Sequence, residues 1–154
     1  MSIQIEGNAS LAQEVLAQIQ LWDDAISHAD LARLSSYCAD QISMFDISSQ
    51  LQGIEAYKAA WEKYSAFLMQ GVQIYRRDMK LNVNDNLAIL DCQTKVQPAV
   101  LLEKLHMPWC RTTLCLQKQQ GMWRVIHQHI SMPVDISTGQ AIILKDQVKL
   151  RLVV

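Results

Sequence analysis

Residues 121–131 read Gly-Met-Trp-Arg-Val-Ile-His-Gln-His-Ile-Ser, and this stretch is the clearest structural signal in the chain. Alternate side chains of a β-strand point to opposite faces of the sheet. One face of the predicted strand therefore carries mostly apolar residues, namely Ile126, Gln128 and Ile130. The opposite face carries His127, His129 and Ser131. The stretch predicts a strand with a mostly apolar face and a polar face.

A second strand precedes this one and is predicted to pair with it. It runs from Trp109 to Lys118, and Gln119-Gln120-Gly121 suits a three-residue hairpin turn with a bulge. That turn pairs Lys118 with Met122. Counting back along the pair places three further residues on the apolar face, namely Leu114, Thr112 and Cys110. A two-residue turn would swap the faces of the earlier strand, so the turn decides which side chains point inward.

The N-terminal half has helical periodicity instead. Four apolar residues, Val15, Ile19, Trp22 and Ile26, recur at helical spacing. Ser10 and Gln13 form a candidate capping box for this helix, and Asp30 is expected to cap a short second helix. A third helix is predicted after Gly53, with an apolar stripe made of Ile54, Tyr57, Trp61, Tyr64 and Leu68.

Strands are predicted for the rest of the chain, at residues 41–48, 72–83 and 87–100. Helices that come first and an antiparallel sheet that follows predict an α+β fold. We expect a curved antiparallel sheet covered by three N-terminal helices, which together form a cone with a pocket inside. The chain is expected to be a single domain over residues 1–154, with its core at residues 10–140 and a C-terminal tail at residues 141–154.

Composition excludes several classes of protein. Of 154 residues, 50% are hydrophobic, which is enough for a folded core. The net charge is −1, and the densest basic stretch, residues 75–80, is broken by an acid and expected to be a solvated strand face. Nucleic-acid binding is therefore not expected. Without an apolar run of ~18 residues or a secretion signal, we expect no membrane association and a cytoplasmic location.

Several stretches resemble a known superfamily. Residues 30–34 (Asp-Leu-Ala-Arg-Leu), 39–46 (Ala-Asp-Gln-Ile-Ser-Met-Phe-Asp) and 53–57 (Gly-Ile-Glu-Ala-Tyr) resemble the first half of nuclear-transport-factor-2-like proteins. Residues 121–131 resemble the end of the SnoaL-like branch and of the calcium/calmodulin-dependent kinase II association domain. The resemblance implies a cone of the ketosteroid-isomerase or cystatin-like kind. It also implies a homodimer formed through the outer sheet face.

Asp46 is the candidate catalytic residue that this resemblance implies. Ketosteroid isomerases carry their base on the first strand, and residues 39–41 followed by Asp46 match the spacing of that motif. A carboxylate in an apolar pocket could remove an α-proton from a ketone. The alternative is a structural aspartate at a strand end, hydrogen-bonded into a turn. The isomerases' oxyanion-hole residues are not matched, because Trp22 and Thr112 or Thr113 stand at those positions.

The ligand-binding residues are expected on the inner face of the cone. They are Trp22, Tyr57, Trp61, Cys110, Thr112, Leu114, Ile126, Gln128 and Ile130. The aromatic stripe of the third helix is either core or pocket wall. No cofactor is expected, since Gly-rich phosphate loops are absent. His127, His129 and His106 could share a metal ion, but no ligand motif supports this and no metal site is expected.

Three functions remain open from the sequence. The first is a SnoaL-like protein that binds a small, largely apolar molecule in the pocket. The second is a proton-transfer enzyme with Asp46 as its general base, such as an isomerase, a polyketide-cyclase-like enzyme or a dehydratase. The third is a homo-oligomerisation domain similar to the kinase II association domain. The fold alone does not choose among them.

Overall fold

The computed structural model describes residues 2–98 and 107–146. These residues form a curved sheet in the order β1-β4-β5-β6-β7-β2-β3 with helices packed on one face. The strands are β1 (Ile3–Gly7), β2 (Cys38–Phe45), β3 (Gln50–Gln52), β4 (Val72–Val83), β5 (Leu87–Pro98), β6 (Cys110–Gln119) and β7 (Met122–Ser131). The helices are α1 (Ala9–Ser27), α2 (Leu31–Ser36), α3 (Ile54–Lys63) and α4 (Ser65–Leu68). The predicted α+β class is confirmed.

The sheet contains two parallel pairings among otherwise antiparallel ones. β1 pairs in parallel with β4, and β2 pairs in parallel with β7. The sequence interpretation had not recognised β1 or β3. Both are short, at five and three residues, so they offer little alternation to detect. The C-terminal segment adds a bridge between Trp109 and Leu144, and residues 147–154 of the predicted tail lie outside the described residues.

The helices largely follow the predicted periodicity. All four apolar residues of the α1 stripe are buried, and Trp22 is 1% exposed. The predicted capping box was wrong, because the Asn8 side chain caps α1 by accepting from the Leu11 N–H at 3.0 Å. Asp30 caps α2 as predicted, accepting from the Arg33 N–H at 3.0 Å. The predicted third helix is interrupted at Tyr64, where α3 ends and α4 begins.

The β6–β7 hairpin has a two-residue turn, so the predicted three-residue turn was wrong. Gln119 pairs with Met122, and Gln120 and Gly121 occupy the turn with φ of +51° and +78°. Positive φ at both positions is the geometry of a type I′ turn, whose twist matches that of the strands. This turn alone would have reversed the inward and outward faces of β6.

A β-bulge at Ile126 restores the predicted faces. Val125 pairs with Leu116 and His127 pairs with Cys115, so Ile126 is an extra residue in β7. Beyond the bulge, Gln128 pairs with Leu114 and not, as predicted, with Thr112. The pairing beyond the bulge is therefore displaced by two residues from the prediction, which preserves the predicted faces of Thr112, Leu114 and Gln128.

No helix among the described residues is long and apolar enough to cross a bilayer.

Candidate functional site

A cavity of about 200 Å³ lies between the helices α3 and α4 and the ends of three strands, β2, β5 and β7. Aliphatic and aromatic side chains make up most of its wall, and one carboxylate contributes the charge. The lining residues are Met44, Asp46, Ala60, Trp61, Tyr64, Phe67, Leu68, Val96 and Ile130. This composition is typical of a site for a small, largely apolar molecule.

Asp46 joins a tight turn to the cavity wall. It directly follows β2, and its backbone N–H donates to the Ser49 carbonyl at 2.8 Å. Its side-chain Oδ1 accepts from the Ile47 N–H at 2.8 Å. Oδ2 makes no hydrogen bond to a described residue. Asp46 is therefore hydrogen-bonded into a turn, as the structural alternative expected, and it also lines the cavity, where its second oxygen is available to a ligand.

The aromatic stripe passes from the core to the cavity within α3. Tyr57 is 1% exposed, and its hydroxyl donates to Gln128 Oε1 at 3.3 Å. Burial raises the pKa of Tyr57 well above its ordinary value, so this hydroxyl stays protonated. Trp61 lies one turn further along and lines the cavity, with its ring centroid 6.2 Å from that of Tyr57. Tyr64 is 52% exposed at the rim.

Three of the ten predicted site residues line the cavity, namely Asp46, Trp61 and Ile130. Five others are buried in the core on the same inner face, namely Trp22, Tyr57, Thr112, Leu114 and Gln128. The Trp22 ring packs against the Tyr57 ring, with 6.1 Å between their centroids, and the Tyr57 hydroxyl is hydrogen-bonded to Gln128. We call these three residues the floor cluster. Alternation predicts which face a side chain occupies, but not how deep packing helices bury it.

The remaining two predicted residues are neither in the buried core nor in the cavity wall. Cys110 is half-buried, and burial together with the charge of Asp46 raises the pKa of its thiol. Ile126 is half-buried at the β-bulge. Neither residue is among those that line the cavity, and their role in binding stays a prediction.

Two residues of the cavity wall, Tyr64 and Leu68, belonged to the predicted helical stripe but not to the predicted site. The sequence interpretation missed the other four, namely Met44, Ala60, Phe67 and Val96. Two of them carried a usable signal. Met44 is two residues after Ile42 and so lies on the same inner face of β2. Val96 likewise follows Leu90 and Cys92 at even spacing on the inner face of β5. Phe67 could not be placed, because the break at Tyr64 changes the phase of the helix.

The basic stretch at residues 75–80 is not entirely a solvated face, and that expectation is corrected for Arg76. The Arg76 side chain is 9% exposed, and its Nε donates to Asp23 Oδ2 at 2.8 Å. Its Nη1 donates to Thr94 Oγ1 at 2.9 Å. The pair therefore links α1 to β4 and β5. Nothing in the local pattern of residues 75–80 indicates it, because the acidic partner is 53 residues away.

The outer face of β7 carries an aromatic and histidine cluster. Phe45 is 45% exposed and makes edge contacts with the rings of His127 and His129 at 5.1 and 5.6 Å. Ser43 Oγ lies 2.6 Å from His127 Nδ1. Burial, and then the charge of His129, lower the pKa of His127. The described residues contain no group of three metal-ligating side chains, and His106 lies outside them.

Comparison with known proteins places the chain in a family. Residues 15–135 match the model of the SnoaL-like domain. The chain belongs to the SnoaL-like family. No curated protein matches it. The SnoaL-like assignment agrees with the fold and with the superfamily resemblance of the sequence.

Solved structures show the same architecture. A nuclear-transport-factor-2-like protein of unknown function from Pseudomonas putida KT2440 is 26% identical, with a TM-score of 0.80, and the match covers 91% of this chain and 100% of that one. A candidate dehydratase of the same family from Streptomyces avermitilis is 15% identical, with a TM-score of 0.68 and coverage of 82% and 98%. A candidate calcium/calmodulin-dependent kinase II association domain from Xanthomonas campestris is 18% identical, with a TM-score of 0.67 and coverage of 82% and 88%. The latter two likenesses concern the fold alone.

Proposed function

We propose that the protein binds a small, largely apolar molecule in the cavity between α3, α4 and the sheet. The observation that supports this most is the lining, in which Asp46 is the one carboxylate among aliphatic and aromatic side chains. An apolar ligand gains affinity from every methylene removed from water. The aromatic side chains Trp61 and Phe67 provide flat surfaces for a planar ring.

Binding can be tested with naphthol, a planar molecule with one hydroxyl group. Naphthol fluorescence is expected to change on titration with the protein. Ala60→Phe fills the cavity and is expected to abolish the change, because Ala60 lines the wall. Ala59→Phe is the matched control, since Ala59 is the preceding residue of α3 and is exposed. Naphthol binding that is absent, or that is equal in both variants, would contradict the proposal.

An enzymatic role with Asp46 as general base is the second candidate. The position of Asp46 in the cavity wall, with an Oδ2 that has no hydrogen bond to a described residue, favours it, because a base needs an oxygen within reach of the ligand. Asp46→Asn keeps an acceptor at Oδ1 for the Ile47 N–H and removes the basic carboxylate. We expect this variant to bind naphthol and to lose turnover of enolisable ketones. Turnover that persists in Asp46→Asn would exclude this role.

We also propose that two copies associate through the outer sheet face. The cluster of Phe45, His127 and His129 supports this, because a half-exposed aromatic side chain beside a histidine of lowered pKa favours burial in an interface. Phe45→Glu is expected to shift the sedimentation coefficient from dimer to monomer. A larger assembly would favour the oligomerisation-domain alternative. A wild-type protein that sediments as a monomer would exclude both.

A further inference from the structure

A second depression borders the cavity on the outside. It is a groove of about 540 Å³ between two turns, residues 46–49 after β2 and the loop that follows β7. Asp46 and Ile130 line both the cavity and the groove. The two spaces therefore share a wall at the position of the carboxylate.

The groove has an apolar side that is open to solvent. Ile47 and Val134 line it and are 54% and 52% exposed. Met132 adds a further apolar side chain. Exposed apolar side chains around one depression favour an apolar occupant, because its binding removes apolar surface from water.

Hydrogen bonds fix the shape of both walls of the groove. On one side, the turn is closed by the Asp46 N–H to Ser49 carbonyl bond of 2.8 Å. On the other side, Val134 pairs with Ala141, and the Ile142 N–H donates to the Pro133 carbonyl at 2.8 Å. The Asp135 side chain accepts from the Ser137 N–H at 2.8 Å, which closes the loop between them. The groove is thus formed by bonded backbone on both sides.

The size of the cavity makes the groove relevant to the ligand. Sites for drug-sized molecules measure roughly 300–1,000 Å³, whereas the cavity alone measures about 200 Å³. The cavity can enclose a small ring system but not a long substituent. Because Asp46 and Ile130 line both spaces, the groove is the space that a substituent leaving the cavity beside these two residues would reach.

We propose that the ligand is an elongated, mostly apolar molecule with a ring portion in the cavity, a hydroxyl group at Asp46 and an alkyl or similar apolar extension in the groove. This rests on the proposed function, because it assumes that the cavity binds the ring portion. Asp46 Oδ2 accepts a hydrogen bond from the hydroxyl group where the cavity and the groove adjoin. Ile47 and Val134 contact the extension.

The test is a series of alkylnaphthols whose chain grows from methyl to hexyl, measured by fluorescence titration against unsubstituted naphthol. A fully buried methylene raises affinity up to about fourfold, so we expect a steady rise along the series. The double variant Ile47→Ser/Val134→Ser should bind hexylnaphthol more weakly and naphthol unchanged. Ile136→Ser is the matched control, because Ile136 is 97% exposed in the same loop and does not line the groove.

The methyl ethers of the same compounds test the hydroxyl group. The ethers have no O–H group to donate a hydrogen bond to Asp46, so they should bind more weakly than the naphthols to the wild-type protein. In Asp46→Ala this difference should disappear, because no acceptor remains.

The outcomes separate this inference from the proposed function. If naphthol binds, and Ala60→Phe abolishes its binding, but affinity does not depend on chain length, the groove has no part in binding and the inference is overturned while the proposed function stands. A rise with chain length that the double variant does not reduce also overturns the inference. If naphthol does not bind at all, both fail.

Discussion

The cavity and the floor cluster lie one helical turn apart on α3, but the two regions differ in what they can do. Tyr57 is 1% exposed and hydrogen-bonded to Gln128, whereas Trp61 borders open space. The floor cluster holds the helices against the sheet. The cavity is the part of the inner face that packing leaves unfilled. A cone of this kind thus divides its inner surface between stability and binding.

The largest expected effect comes from removing the centre of the floor cluster. Trp22→Ala should lower the free energy of unfolding by about 3–5 kcal/mol, because a fully buried tryptophan leaves a large void. Trp61→Ala should cost clearly less, since Trp61 is half-buried at the cavity wall. Urea denaturation measures both values. Equal costs for the two variants would contradict the division of the inner face.

The buried ion pair is the next strongest test of what holds α1 to the sheet. Arg76→Met should lower the free energy of unfolding by about 3 kcal/mol, because it leaves the Asp23 carboxylate without its partner. This is the lower end of the range for buried pairs, since the Asp23 side chain is 22% exposed.

The double variant Asp23→Leu/Arg76→Met is the control for the ion pair. It removes both charges, and its stability should return most of the way to that of the wild type. Urea denaturation of the single and double variants gives the coupling between the two residues. A cost below about 1 kcal/mol for Arg76→Met would class the pair with exposed salt bridges.

The sequence predicted the fold class and the inner face of β6 and β7, because hydrophobic periodicity is a local property. It predicted the faces of Thr112, Leu114 and Gln128 from a wrong turn. Two departures from that prediction, the two-residue turn and the bulge at Ile126, offset each other. A bulge depends on pairing with a distant strand, so the local pattern did not indicate it.

The candidate site was only partly predictable for the same reason. Asp46 was predicted from the motif spacing of the family resemblance, Trp61 from the helical stripe and Ile130 from strand alternation, and all three line the cavity. The depth of Trp22 and Tyr57 depends on how closely α1 and α3 approach, which is a property of packing. The ion pair of Asp23 and Arg76 needs the complete sheet to bring its two residues together.

A smaller effect is expected inside the floor cluster. Tyr57→Phe removes a hydroxyl that donates to Gln128 at 3.3 Å and leaves a buried amide oxygen unpaired. The expected loss is about 1–3 kcal/mol of unfolding free energy. Naphthol affinity should remain that of the wild type, since Tyr57 does not line the cavity. A large loss of affinity together with unchanged stability would instead assign Tyr57 to the binding site.

The smallest effect concerns the outer face of the sheet. Burial lowers the pKa of His127 below its ordinary value of 6.5, and the neighbouring charge of His129 lowers it further. The unfolded chain therefore binds a proton at a higher pH than the folded chain does. The contribution to unfolding free energy should be fully present above pH ~6.5 and decline as the pH falls from there to the folded pKa.

Urea denaturation between pH ~7.5 and ~5.5 measures this decline, above the range in which most carboxylates titrate. His127→Gln should flatten the curve, because glutamine keeps a polar side chain beside Ser43 but does not titrate. Equal slopes in the wild type and His127→Gln would show that another group causes the pH dependence. If two copies bury the same face, as proposed, the dimer should dissociate over the same pH window. Protonation of His127 would then place a charge inside an interface.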